Sequence, residues 1–285
     1  MLRRTLIGVG VLAVLLGAWL LDRGRGGPAW ATAALGALVM LGVLDELQRI
    51  GGADSGRRAV GRIAGLSWLG ILALAALLPG RVTTLLGDML AGASLLAGAV
   101  VALMLAAGPG PAGARLARSL WFQLPYAGGL GCLVGLLLGG ALEFCVYVVL
   151  VAKASDTGAY FAGSLLGGRK LAPSISPGKT WAGAVGGVLL PAAVGAWLLP
   201  GLRVHAAHGQ VAAVTLPDDA LLGGLVGVVL GVVAIAADLC ESLLKRSVGV
   251  KDSSALLGPA GGLLDLSDTL LLVGPIAVAY AAVLG

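Results

Sequence analysis

Charge is what this chain of 285 residues has least of. Only 12% of its residues are Asp, Glu, Lys or Arg, against 58% hydrophobic, and the mean hydropathy is +1.00. Soluble domains carry about 25% charged residues, so the shortage excludes a water-soluble globular fold and points to a polytopic membrane protein. Cysteine is also scarce. Cys132, Cys145 and Cys240 all lie in apolar runs and none forms a C-x-x-C pair. That excludes a zinc site or a disulfide framework and leaves small packing residues. No internal repeat is visible. The net charge of +5 is explained first by orientation in a bilayer and is no evidence for nucleic acid.

What the chain does have is nine apolar runs, roughly 5–21, 29–44, 63–79, 82–107, 120–138, 141–165, 181–200, 220–244 and 263–284, where a spanning helix needs about 20 mostly apolar residues. The first follows Arg3 and Arg4. It outruns the apolar core of a signal peptide and no small-x-small site follows, so it reads as an uncleaved helix. The expected fold is all-α: a polytopic integral membrane protein of about nine transmembrane helices, four in residues 1–119 and the rest in a catalytic part, 120–285. In that arrangement fourteen of the nineteen Lys and Arg residues share one side and four take the other. The positive-inside rule then puts the N-terminus and the basic loops 166–180 and 245–262 in the cytoplasm and the C-terminus outside. Gly131/Gly135/Gly139, Gly163/Gly167, Gly183/Gly187 and Gly223/Gly227/Gly231 stand at the spacing that lets membrane helices approach closely.

The few charges are concentrated. Asp88, Glu143, Lys153, Asp156, Asp238, Glu241, Asp265 and Asp268 fall in or at the ends of apolar runs, where a charge costs several kcal/mol unless paired or wet. Asp88 reads equally as a helix-end residue, and Glu143 suits a helix start. Lys153 and Asp156 lie three apart on one face and would satisfy each other as an ion pair. Asp238, Glu241, Ser242 and Lys245 also share one helical face. Two acids and a lysine beside a basic, Gly-containing loop are more than pairing needs, and point to a metal or a phosphate. A second basic loop runs from Gly167 to Trp181 and holds Arg169, Lys170, Lys179, Pro173 and Pro177. Its Gly178-Lys179-Thr180 ends like a phosphate-binding P-loop, but the full pattern fails at Pro173 and the sequence offers no preceding strand. Backbone N–H groups, a lysine and a hydroxyl before a helix still suit phosphate. An ordinary cytoplasmic loop is the plainer alternative.

Ser242-Leu243-Leu244-Lys245-Arg246, Lys251-Asp252, Ser254, Leu257-Gly258, Ala260-Gly261-Gly262-Leu263, Asp265 and Asp268, in that order and spacing, resemble the signature of phosphatidate cytidylyltransferases, the CDP-diacylglycerol synthases. Ser155-Asp156-Thr157-Gly158 with Tyr160, and the loop from Lys170 to Trp181, are similar to two further stretches of that family. The resemblance covers roughly 140–280. It departs at Ala260 and Leu266, where the family usually has His and Arg. It implies a Mg²⁺-dependent enzyme joining CTP to phosphatidate, in the inner (cytoplasmic) cell membrane, multi-pass, with its active site facing the cytoplasm. Asp238, Asp265 and Asp268 are then the metal ligands. Lys245, Arg246, Lys251, Asp252 and Asp156 are the catalytic residues, and Lys170, Ser176, Lys179, Thr180, Ser242, Gly261 and Gly262 bind substrate phosphates. A homodimer is implied as well, and a second, monovalent ion is left open. Other readings are another CTP-dependent lipid enzyme, such as a polyprenol kinase or a cytidylyltransferase for a different lipid phosphate, or an ion-coupled transporter. The missing repeat speaks against the last.

Overall fold

The protein, as a computed structural model, is described over residues 14, 17–22, 30–50, 123–138, 141–201, 219–247, 249–254, 256 and 261–284. Within these, apolar runs become helices: α1 (Trp30–Ile50), α2 (Gln123–Leu138), α3 (Leu142–Leu166), α4 (Trp181–Leu198), α5 (Ala220–Ser247), α6 (Leu263–Ser267) and α7 (Leu270–Leu284). Five stretches are long and apolar enough to cross a membrane: Trp30–Leu47, Leu142–Leu166, Trp181–Leu198, Ala220–Arg246 and Leu263–Tyr280. The expected helices at 63–79 and 82–107, with Asp88, lie outside the described residues, as does Ala260.

α4 shows what solvent this fold is built for. Its buried residues are Gly183, Gly187, Pro191 and Gly195, while Trp181, Val185, Leu189 and Trp197 are exposed. A surface helix in water turns its apolar stripe inward. Small residues inside and large apolar ones outside are what lipid allows. The small face lets backbones meet. A Cβ on Gly186 would strike the Gly158 carbonyl of α3, and one on Gly195 would strike that of Gly223 in α5. α4 is thereby sandwiched between α3 and α5. The glycines expected to pack helices do so at Gly163, Gly183, Gly187, Gly223, Gly227 and Gly231.

Gly167 does something else. It ends α3 with φ of +60°, followed by Gly168 at +92°, a region where a Cβ is penalised and glycine is not. The two turn the chain into a hairpin, β1 (Lys170–Ala172) against β2 (Ser176–Thr180). The all-α expectation is corrected here. The stretch has no alternation of apolar and polar residues to announce a strand, and its pairing is local, with Lys170 opposite Thr180 and Ala172 opposite Ser176. At its end the Gly183 N–H donates to the Thr180 hydroxyl at 3.0 Å, capping α4.

Two apolar clusters hold the helices. One gathers α2, α3 and α7 around the fully buried Phe144, Tyr147, Val148 and Val151. The other joins Met40, Val43, Leu44 and Leu47 of α1 to Leu243 and Leu244 of α5 and Leu264 of α6, with Ile175 of the hairpin turn against them. It brings the last turns of α1 and α5, the start of α6 and the hairpin to one end of the molecule. The last apolar run, expected as one helix, breaks at Asp268 and Thr269 into α6 and α7.

Candidate active site

Below the hairpin, between α3, α4 and α5, lies a cavity of about 530 Å³ whose polar lining includes Lys153, Asp156, Lys179, Thr180, Asp238, Asp265 and Asp268. α3 supplies Lys153 and Asp156 from its middle, where Ser155 donates to the Gly231 carbonyl of α5. The hairpin brings Lys179 in from above. α5 supplies Asp238, with Glu241 and Lys245 further along the same face.

Every acid here meets a lysine. Lys179 pairs with Asp238 at 2.5 Å. Lys153 reaches Asp156 at 3.1 Å, Asp268 at 3.4 Å and the Thr269 hydroxyl at 3.1 Å. Lys245 bridges Glu241 at 2.8 Å and Asp265 at 2.7 Å. Three lysines face five carboxyl groups, so in formal charge the acids exceed the lysines by two. In an apolar surrounding such an excess is costly unless a cation or water meets it.

The excess has a focus. One oxygen each from Asp238, Glu241 and Asp268 lie within 4.8 Å of one another. Magnesium binds hard oxygen donors at about 2.0–2.1 Å and keeps places for substrate phosphates. The donor chemistry and the residual charge fit such an ion. Asp265, expected in the ligand set, lines the cavity but is otherwise engaged. Its Oδ1 accepts from Lys245, and its Oδ2 accepts from the Ser253 N–H at 3.0 Å and the Gly262 N–H at 2.7 Å, with the Ser253 hydroxyl 2.8 Å away. Glu241, which is 2% exposed at its side chain, stands in the acid group instead.

The remaining expected residues divide by place. Lys179 and Thr180 line the cavity, while Lys170 is exposed and Ser176 half-buried on the hairpin. Ser242 is half-buried on α5. Arg246 is exposed and donates to the Val250 carbonyl at 3.3 Å, and Lys251 and Asp252 are exposed in the following loop. Gly261, with φ of +86°, has no room for a Cβ beside the Asp265 carboxylate, and Gly262 none beside Ser253 and Glu46.

Glu46 was not foreseen. The second apolar run was ended at 44, just before Asp45 and Glu46, but α1 continues to Ile50 and buries Glu46. The available signal was a carboxylate one turn before the end of an apolar helix that is followed by basic residues. The carboxylate network thus draws one member from the N-terminal half.

The model of a cytidylyltransferase family matches residues 2–284. The chain belongs to the cytidylyltransferase family. Among relatives in that family it is similar to the phosphatidate cytidylyltransferase of Haemophilus influenzae, 42% identical over 136 residues, which are 47% of this chain and 44% of that protein. It is 37% identical to that of Pseudomonas aeruginosa over 171 residues, 60% of this chain and 57% of the other. It is 37% identical to that of Synechocystis over 134 residues, 46% and 40%. The chain spans about half the length of the curated relatives it matches. This family assignment agrees with the resemblance carried by the basic loops.

Proposed function

We propose that the protein transfers the cytidylyl group of CTP to phosphatidate. An oxygen of the lipid phosphate attacks the α-phosphorus of CTP, the bond from that phosphorus to the β-bridging oxygen breaks, and pyrophosphate leaves with the electron pair. CDP-diacylglycerol is the other product. The attacking oxygen is already anionic at neutral pH, so no strong general base is needed. This suits a site whose described polar groups are lysines, carboxylates and hydroxyls.

The observation that carries the reading is a cavity where five carboxyl groups meet three lysines and three of the acids converge, in a chain of the cytidylyltransferase family. Asp238, Glu241 and Asp268 would hold Mg²⁺, with Asp265 fixing Lys245 at its edge. When bound, the ion supplies charge neutralisation between the attacking and leaving oxygens. Lys153 and Lys179 need only turn from a carboxylate to a phosphate oxygen to bind the triphosphate. The Thr180 hydroxyl accepts a hydrogen bond as a helix cap and keeps its own hydrogen for a phosphate. Lys170, Ser176, Ser242, Gly261 and Gly262 complete the phosphate contacts. Arg246, Lys251 and Asp252 attend the nucleotide at the mouth, and Asp156 holds Lys153 in place. We further propose the nine-helix topology, with the hairpin and the 245–262 loop in the cytoplasm, the C-terminus outside and a homodimer as the assembly.

Radiolabelled CTP and a panel of lipid phosphates, with the protein purified in detergent, test the reaction. Phosphatidate should give labelled CDP-diacylglycerol and pyrophosphate, abolished by EDTA and restored by Mg²⁺. Labelled product from another lipid phosphate alone, or none from any, overturns the proposal. For topology, reporters after Gly178 and Val250 should read cytoplasmic and one fused to Gly285 external. A cytoplasmic reading at Gly285 rejects nine helices.

A further inference from the structure

Glu46 stands on α1, one turn from its end, and is 4% exposed. No lysine or arginine among the described residues forms an ion pair with it. Its charge is met by hydrogen bonds instead. Oε1 accepts from the Ser254 hydroxyl at 2.7 Å and the Leu263 N–H at 3.0 Å. Oε2 accepts from the Leu264 N–H at 2.9 Å and lies 2.9 Å from the Ser253 hydroxyl, whose one hydrogen it shares with Asp265. A carboxylate has about four lone-pair sites; three meet donors of their own and the fourth meets the hydroxyl shared with Asp265. The donors come from the two ends of the 253–264 loop, so one side chain ties together the segment leaving α5 and the first turn of α6.

The tie leads into the site. The Ser253 hydroxyl that faces Glu46 also faces Asp265 at 2.8 Å, and Asp265 holds Lys245, which holds Glu241 of the acid group. Gly262 sits in the crook, with room for a hydrogen and not for a Cβ. Backbone N–H groups at the start of a helix need acceptors. Asp265 takes that of Gly262, and Glu46 takes the next two. An apolar helix does not carry an unpaired buried carboxylate for packing, and capping a five-residue helix could be done by that helix's own N-cap.

We propose that Glu46 is a positioning residue for cytidylyl transfer: reaching in from the N-terminal half of the chain, it fixes the Ser253–Asp265 arch and so the Lys245–Glu241 corner of the acid group. The inference rests on the function proposed above for its catalytic consequence, but its structural consequence can be read separately. Glu46→Gln keeps size and replaces one oxygen with an NH₂ group, which cannot accept. The backbone N–H on that side then loses its acceptor, and the serine hydroxyl beside it must turn from donor to acceptor.

The test compares wild type, Glu46→Gln and Ser253→Ala in detergent, with two readouts. The first is kcat and KM with CTP and phosphatidate. The second is the Mg²⁺ concentration that gives half of the ion-induced rise in thermal midpoint, which needs no turnover. Glu46→Gln should lower kcat by about 10²-fold, as a small misplacement of reacting groups does, with KM for CTP little changed. It should also raise the half-maximal Mg²⁺ concentration by about tenfold, because Glu241 is released from its corner. Ser253→Ala removes one hydroxyl and should move both readouts in the same direction by less. It serves if Glu46→Gln fails to fold. A lower thermal midpoint in either folded variant with kcat and Mg²⁺ response unchanged makes the tie merely structural and overturns the inference. A wild type with no Mg²⁺-induced stabilisation overturns it too. A wild type that Mg²⁺ stabilises but that transfers nothing from CTP sinks the proposed function and leaves the Mg²⁺ titration to judge Glu46.

Discussion

Two sets of buried and half-buried carboxylates sit side by side in this protein and are met by different donors. Around the cavity, a lysine occupies one oxygen of each of Asp238, Glu241 and Asp268. In the adjoining arch, Glu46 and Asp265 have both oxygens filled by backbone N–H groups, serine hydroxyls or Lys245. The residue types are the same. What differs is the kind of donor. A lysine on a flexible stem can turn to an incoming phosphate, whereas a backbone N–H cannot turn at all. Asp238 and Glu241, met by lysines, are therefore available to a ligand, and Glu46, held by backbone N–H groups and serines, is committed to shape; Asp268 and Asp265 each meet both kinds of donor.

Substitution can sharpen or break that distinction. The largest effect is expected at the cavity. Asp238→Asn should reduce kcat by about 10²–10³-fold, the scale of losing one preorganised charge-stabilising group, with the thermal midpoint little changed. Near-normal turnover at ordinary Mg²⁺ would remove Asp238 from the ligand set. Asp265→Asn should show the other signature. It leaves Lys245 partly unpaired and turns an NH₂ group toward fixed donors. A loss of about 3 kcal/mol of stability, as for a broken buried pair, should accompany the fall in activity. Loss of activity with full stability would move Asp265 into the cavity set. The smallest effect belongs to the exposed Lys251. Lys251→Ala should raise KM for CTP by about threefold to tenfold, and by less as salt is added, since an exposed charge is screened. A salt-independent loss of kcat would place Lys251 against the reacting phosphates.

The sequence made most of the helices legible, because lipid demands long apolar runs and α3, α4 and α5 supply them. It also marked Lys153, Asp156, Asp238 and Lys245, since charges at helical spacing in such runs need a reason. It did not reveal which acids would face one another. Asp265 and Asp268 are three apart and look alike in sequence. Only the fold turns one to Ser253 and Gly262 and the other to Lys153. The hairpin was hidden because its pairing depends on two left-handed glycines and not on an apolar pattern. Glu46 is hidden because an acid in sequence marks the end of an apolar run, whereas α1 carries it inside the helix.

The order of the charged residues along the chain has a consequence for how such a protein is made. Lys153 precedes Asp156 and Asp268, Lys179 precedes Asp238, and Lys245 precedes Asp265. Among the described pairs only Asp45 and Glu241 come before their cation, and in each case that partner follows one turn later on the same helix. A ribosome feeding this chain into a bilayer thus delivers most of these cations before the anions they will neutralise. An acid at the centre of a membrane helix adds about 2.5–3.5 kcal/mol to the free energy of insertion. α5 and α6 emerge to find α3 and the hairpin already holding the opposite charge, so their acids can enter the membrane as members of pairs.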